Sequence, residues 1–316
     1  SDKKVFHECI GNKSLKEYIK ANGYVCTCDY CGQRRKAVNL DSFMVIIMSG
    51  VNFLYTHAVN ELPCDSGEYI GKTYTTAQLI FEELRDEIDA QDERILKDIV
   101  EIMYDDIWCD ADPFSDREED VAYYDWQSFC KMVKEKVRYV FYRATPDTSF
   151  NENPTTILDT LAYYAERVRL DRRIDKNTKM YRCRTHENDE WRTAYADFAP
   201  PPPWVATSGR MNAAGINVLY LTLDPNTALC ETRTSGRDYA TIASFRVTES
   251  IRVLDLTKIK KMSIPSIFDE DNRHNRSPVM FLQKFAENIS QPRSNKNIDI
   301  EYVPCLLYTS PSPRDR

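Results

Sequence analysis

Along residues 76–103 the apolar side chains recur at helical spacing. Phe81, Leu84, Ile88, Ile95, Ile99 and Ile102 share one face, and Asp and Glu fill the other. The same period runs through residues 125–143 with Phe129, Met132, Val133, Val137 and Val140. That spacing predicts a helix with Asp125 as N-cap and Arg143 in its last turn. Residues 154–170 predict a third helix, with Pro154 at an early position where its missing N–H costs nothing. A shorter amphipathic helix is expected between Cys9 and Cys28. The acidic run 105–120, broken by Pro113 and Ser115, reads as a solvated loop.

Beyond residue 179 the pattern changes. After the charged connector 167–179, "KMYRCRT" predicts a short strand carrying Arg182 and Arg184. Four consecutive prolines, 200–203, favour an extended loop. "INVLYLTL", residues 216–223, is almost continuously apolar and predicts a strand buried on both faces. "DPNTALCETR" opens a helix with Asp224 as N-cap and Pro225 in its first position. "YATIASFRV" and "SIRVLDLT" predict further strands, and "SPVMFLQKFAENIS" a helix. The class is therefore α+β: a mainly helical N-terminal part with a small cysteine cluster, then a mixed α/β domain.

With 316 residues, 42% hydrophobic, the chain has material for two domains. Its net charge of −7 argues against non-specific nucleic-acid binding, which rests on a phosphate-neutralising basic patch. A local basic pocket for a small phosphate ligand stays compatible with it. The most apolar run, residues 43–55, is interrupted by Ser49, Gly50 and Asn52 and is too short to span a bilayer. The ten cysteines are unevenly placed, unlike a secreted disulfide framework, so a reducing, cytoplasmic compartment is expected.

Cys9, Cys26, Cys28 and Cys31 gather at the start of the chain. Two sulfurs on a Cys-x-x-Cys turn plus a distant third suit tetrahedral zinc, with Cys9, Cys28 and Cys31 as ligands and His7 or Cys26 as the fourth. The first half of a double pair is incomplete, because Phe6 stands three residues before Cys9. Such a site would be a structural staple of segment 1–40.

The candidate chemistry lies in "SGRMNAAGINVLYLTLDPNTALCETR", residues 208–233. Arg210 precedes the apolar run, Tyr220 lies inside it, and Glu231 sits near the end of the following helix. A guanidinium offers bidentate donors to phosphate oxygens. A tyrosine presents a flat face to a ring. A glutamate stabilises positive charge on a ribose carbon, as carboxylates do beside oxocarbenium-like transition states. Arg182 would add a second positive charge. Diphosphate, ribose and base together describe a dinucleotide such as NAD⁺, and no GxGxxG turn suggests a Rossmann mode of binding.

The same string resembles the RES-domain family. The matching segments are Gly209-Arg210-Met211-Asn212, Gly215, Val218-Leu219-Tyr220-Leu221, and Thr227-Ala228-Leu229 with Glu231, flanked by "MYRCR" and "ASFRV…IRVLDLTKI". The resemblance covers residues 179–304, and residues 41–172 look like the HEPN-like helical domain that precedes some RES domains. It implies a fold akin to ADP-ribosyltransferases and a toxin, paired with an antitoxin, that depletes NAD⁺ by hydrolysis or phosphorolysis. It further implies Arg210 at the phosphates or ribose, Tyr220 at the nicotinamide end and Glu231 at the reacting ribose. The Arg-x₄₋₆-His spacing of a HEPN ribonuclease is missing from the helical region, where the sole histidine is His57. The family pattern breaks at residue 304. The ending "CLLYTSPSPRD" resembles a reading frame of a sequencing-library adapter, so residues 305–316 are expected to be non-native and the RES domain incomplete. Two rival readings are an ADP-ribosyltransferase acting on a macromolecule and a catalytically dead, zinc-stapled binding module.

Overall fold

The computed structural model describes residues 2–135, 156–187, 192–206, 217–232 and 239–290. It forms two compact units, one of Ser1–Val121 with Met262–Phe281, the other of Ala122–Lys261 with Leu282–Arg316.

The first unit is built on a three-stranded antiparallel sheet with Arg34–Asn39 between Lys4–Phe6 and Tyr24–Thr27. Helix Lys13–Asn22 starts where the Asn12 side chain accepts from the Leu15 N–H, and helix Leu40–Leu54 where Asn39 accepts from Ser42. Each cap satisfies a backbone donor that the first turn leaves orphaned. Leu15 and Ile19 from one helix, and Phe43, Ile47 and Val51 from the other, join Val5, Phe6 and Val38 of the sheet in one core. The segment Met262–Phe281 belongs to this core through Ile267 and Phe268. Gly50 permits that contact, because a β-carbon there would lie 2.3 Å from the Phe268 ring. Arg273 lies over the Phe53 ring at 4.8 Å, and Arg276 pairs with Glu87 at 3.1 Å.

The long helix expected over residues 76–103 is broken in two. A capping box between Thr75 and Gln78 opens Thr76–Gln78, a π turn occupies Leu79–Glu83, and Arg85–Ile88 ends at Asp89 with φ 51°. A new helix, Glu93–Met103, begins at the Asp92 cap. The break falls where the backbone turns aside to pair with another segment: Gly11 N–H donates to Asp89 O, Gln91 N–H to Cys9 O, and Ile10 bridges Ala90. The apolar face survives the break, with Leu84, Ile88, Ile95 and Ile99 buried. The acidic run is likewise not all loop. Ile107–Asp110 is the central strand between Tyr55–His57 and Tyr74–Thr75, and it buries Trp108 and Cys109. The Trp108 indole N–H donates to Thr76 Oγ1 at 3.0 Å.

In the second unit, helix Glu118–Glu135 starts earlier than expected, so Asp125 lies inside it rather than at its cap. Trp126 stacks on Phe129 and meets Phe285 edge-on at 4.9 Å. Helix Thr156–Arg167 follows; Pro154, Val137, Val140 and Arg143 lie outside the described residues. The charged connector contains a strand, Asp171–Ile174, paired with Ile251–Leu254. A second antiparallel ribbon pairs Lys179–His186 with Tyr239–Arg246 in unbroken register. Helix Arg276–Ser290 is the last described element. No described helix is long and apolar enough to cross a membrane.

Candidate functional site

The strand Lys179–His186 organises the second unit's candidate site. Strand alternation puts Arg182, Arg184 and His186 on one face, with cross-strand partners Ala243, Thr241 and Tyr239. Arg182 is buried, and its Nη1 donates to Phe198 O at 2.7 Å and to Ala199 O at 2.9 Å. Burial, and then the charge of Arg184, lower its pKa, so this guanidinium is held where its charge is poorly solvated. The His186 Nε2 and Thr241 Oγ1 are 2.9 Å apart, and the imidazole stacks on Tyr239. Sequence reasoning passed over His186 and Thr241. Counting by twos from Arg182 would have found the histidine.

The run expected to form a buried strand does not. Residues 217–221 carry no regular strand, and the segment touches the ribbon through one bridge, Thr222 with Tyr181. Tyr220 is 42% exposed and Leu223 55%, so neither face of this run is covered as a central strand would be. The helix after it forms as expected. Asp224 Oδ2 accepts from the Thr227 N–H at 2.7 Å, Pro225 fills the first turn, and Glu231 is the last residue of Pro225–Glu231, exposed. Just past that end the Thr232 hydroxyl lies 4.0 Å from Cys183 Sγ. Cys183 and Arg182 alternate along the strand, so the end of this helix and the Arg182 guanidinium meet the strand from opposite faces. Arg210 lies outside the described residues.

The cysteine group is a separate site in the first unit. The sulfurs of Cys9, Cys28 and Cys31 lie within 4.8 Å of one another, Cys9 and Cys28 buried and Cys31 exposed. A tetrahedral ion with Zn–S bonds of about 2.3 Å spaces its sulfurs about 3.8 Å apart, and Cys9 Sγ and Cys28 Sγ are 3.8 Å apart. These three residues are a donor set that can hold a metal. The group does not include His7 or Cys26. His7 Nδ1 is buried without a hydrogen-bond partner, and the Cys26 thiol is turned to Ala37 O at 4.0 Å.

Protein contacts hold the cysteines in place. Cys9 sits in the turn paired with residues 89–91. The Cys28–Cys31 knuckle is held by Asp29 Oδ2 accepting from Lys4 N–H, by Arg94 Nη2 donating to Tyr30 O, and by Tyr30 OH donating to Asp98. Asp98 is buried and also accepts from Lys3 Nζ at 2.6 Å. Burial, and then hydrogen bonding to Cys31, push the Cys9 thiol up. Burial raises Cys31 too, but backbone hydrogen bonding from Gln33 and contacts with the other two thiols outweigh it and leave the thiol below its ordinary value. A bound divalent cation would reverse the bias at Cys9, since a coordinating thiol is deprotonated outright.

Residues 21–147 match the family model HEPN/RES N-terminal domain 1, and residues 179–313 match the RES domain. The chain is a RES-domain protein with a HEPN/RES N-terminal domain. No curated protein and no solved structure matches it.

Proposed function

We propose that this protein cleaves the bond between nicotinamide and ribose in NAD⁺, as a RES-type toxin does. The carrying observation is the RES match over residues 179–313, a family associated with NAD-degrading toxins. In this reading Glu231 stabilises the oxocarbenium-like carbon of the ribose, Tyr220 packs on the nicotinamide end, and Arg210 binds the phosphates or ribose. Arg182 holds the backbone at Phe198 and Ala199 through their carbonyls, on the strand face opposite the helix end that carries Glu231, so in this reading it acts as a positioning residue and the diphosphate falls to Arg210. As the C–N bond breaks, its electron pair returns to the pyridinium ring and releases neutral nicotinamide. The oxygen of water or phosphate bonds to the ribose carbon, and water gives up a proton in doing so.

The exposed apolar side chains Tyr195, Trp204 and Leu223 suit a protein partner, which in this reading is an antitoxin. The uneven spread of the ten cysteines along the chain favours a reducing, cytoplasmic setting in this reading. Cys9, Cys28 and Cys31 are read as a zinc site that ties the N-terminal turn to the knuckle.

Chromatography of products from NAD⁺ labelled in the adenosine half tests the reaction. Free ADP-ribose, or ADP-ribose carrying phosphate when phosphate is supplied, is the expected label. Label fixed to protein or nucleic acid would mean an ADP-ribosyltransferase instead. Unchanged NAD⁺ would leave the binding-module reading in its place.

A further inference from the structure

We infer that the Cys9–Cys28–Cys31 site binds Zn²⁺ through three thiolates of this chain and leaves the fourth coordination position open to a small monodentate ligand from solution. The inference rests on the zinc reading above and changes its character, from a closed staple to a site at which a ligand exchanges.

Three observations carry it. First, the sulfur spacing fits a tetrahedral ion, but the group ends at three donors among the described residues. Neither fourth-ligand candidate belongs to it. His7, though only two residues before Cys9, packs its ring on Phe6 at 4.2 Å, and Cys26 has its sulfur beside Ala37 O. Second, the three sulfurs are asymmetric in exposure. Cys9 and Cys28 form a buried floor while Cys31 faces solvent. Beside Cys31, Gly32 adopts φ +71°, and a β-carbon built there would meet nothing within 4 Å, so this flank of the knuckle is open space. Third, the Asp98, Arg94 and Lys4 contacts fix the knuckle, and the Gln91 N–H donating to Cys9 O fixes the other half, without help from an ion. Three positioned donors with an unfilled fourth position are the arrangement of zinc sites that exchange a ligand, whereas zinc sites that only brace a fold are closed by four protein donors.

An exogenous thiol is the natural class of occupant, because the soft three-sulfur set favours a further soft donor; water holds the position otherwise. No covalent step is involved. The occupant's donor atom bonds to the ion as the water leaves.

The test uses the purified full chain, with bound metal quantified and the site then loaded with Co²⁺ as a spectroscopic substitute. One metal per chain is expected, with thiolate-to-cobalt absorption that weakens in Cys9→Ser, Cys28→Ser and Cys31→Ser and is unchanged in His7→Ala and Cys26→Ser. Titration with 2-mercaptoethanol should shift the cobalt bands of the wild type saturably. X-ray absorption on the wild-type zinc protein counts donors without any variant, and should give three sulfurs and one lighter atom. Four sulfurs in protein purified and measured in thiol-free buffer, or loss of intensity in His7→Ala or Cys26→Ser, would show a fourth protein ligand and overturn the open position. Insensitivity to the thiol would overturn it as well. Failure of the wild type to take up either metal would overturn the zinc reading itself, a result distinguishable from the others.

Discussion

The segments that carry the two candidate sites differ in how well their apolar residues are covered, although each unit also buries large side chains such as Phe43 or Trp126 and exposes others such as Phe114 or Trp204. In the first, Phe43, Ile47, Leu79, Ile95 and Ile99 are all fully buried in a single core, and the buried Asp98 accepts from both Lys3 Nζ and Tyr30 OH. In the second, Tyr220, Leu223, Leu229, Tyr239 and Ile242 are each more than a third exposed, on the irregular run 217–223, a helix of seven residues and a two-stranded ribbon. Burying apolar area is the main source of folding stability, so the first unit is built for rigidity. The second leaves such area at its surface, beside a buried arginine and an exposed glutamate. That contrast teaches where to look for chemistry: in the unit that is less well closed.

The largest effect that would sharpen the comparison is on turnover. Glu231→Gln should lower NAD⁺ consumption by about a hundredfold or more, as expected when a residue acting at the reacting centre loses its charge. Its thermal unfolding should be unchanged, because Glu231 is exposed. Next come the core positions. Phe43→Ala should cost roughly 3–5 kcal/mol in a denaturant titration, whereas Tyr220→Ala should cost under about 1 kcal/mol. If the two costs came out equal, the contrast between the units would fail.

Asp98→Ala should destabilise the first unit by about 1–3 kcal/mol, because it leaves the buried Tyr30 hydroxyl without its acceptor. Since Tyr30 lies between Cys28 and Cys31, the same variant should hold metal more weakly, measured by competition with a chelator. Gly50→Ala should cost about 1–3 kcal/mol by driving a methyl group into the Phe268 ring, read as a lowered melting temperature. A smaller effect is expected from Arg182→Lys. A lysine cannot reproduce both carbonyl contacts in the fixed geometry of a guanidinium, so stability should fall by about 1 kcal/mol as a buried carbonyl loses its donor, and the Michaelis constant for NAD⁺ should rise.

Much of this architecture is legible from spacing. The cap at Asp224 marks a helix start, the period of 3.6 marks the face that carries Leu84, Ile88, Ile95 and Ile99, and the Cys-x-x-Cys turn with Cys9 marks the sulfur cluster. What escaped is long-range. Nothing local signals that residues 89–91 leave the helix to pair with Cys9 and Ile10, because the apolar period continues across the break. The acidic residues around Trp108 and Cys109 hide a central strand, since the two buried side chains are outnumbered by carboxylates. The run 217–221 misleads in the other direction. Its composition is that of a buried strand, but burial depends on what packs against it, and only Thr222 joins the ribbon. Within the site, the place of Glu231 at a helix end follows from the Asp224 cap, whereas Tyr220, expected inside a buried strand, lies on a loop. The pairing of Arg182, Arg184 and His186 with Ala243, Thr241 and Tyr239 needed the register of the ribbon.

The most direct measurement is a proton NMR time course of NAD⁺ incubated with the purified full chain. The account predicts loss of the anomeric signal of the nicotinamide riboside, with matching growth of free nicotinamide. Persistence of that signal at enzyme concentrations comparable to NAD⁺, with the protein folded, would contradict it.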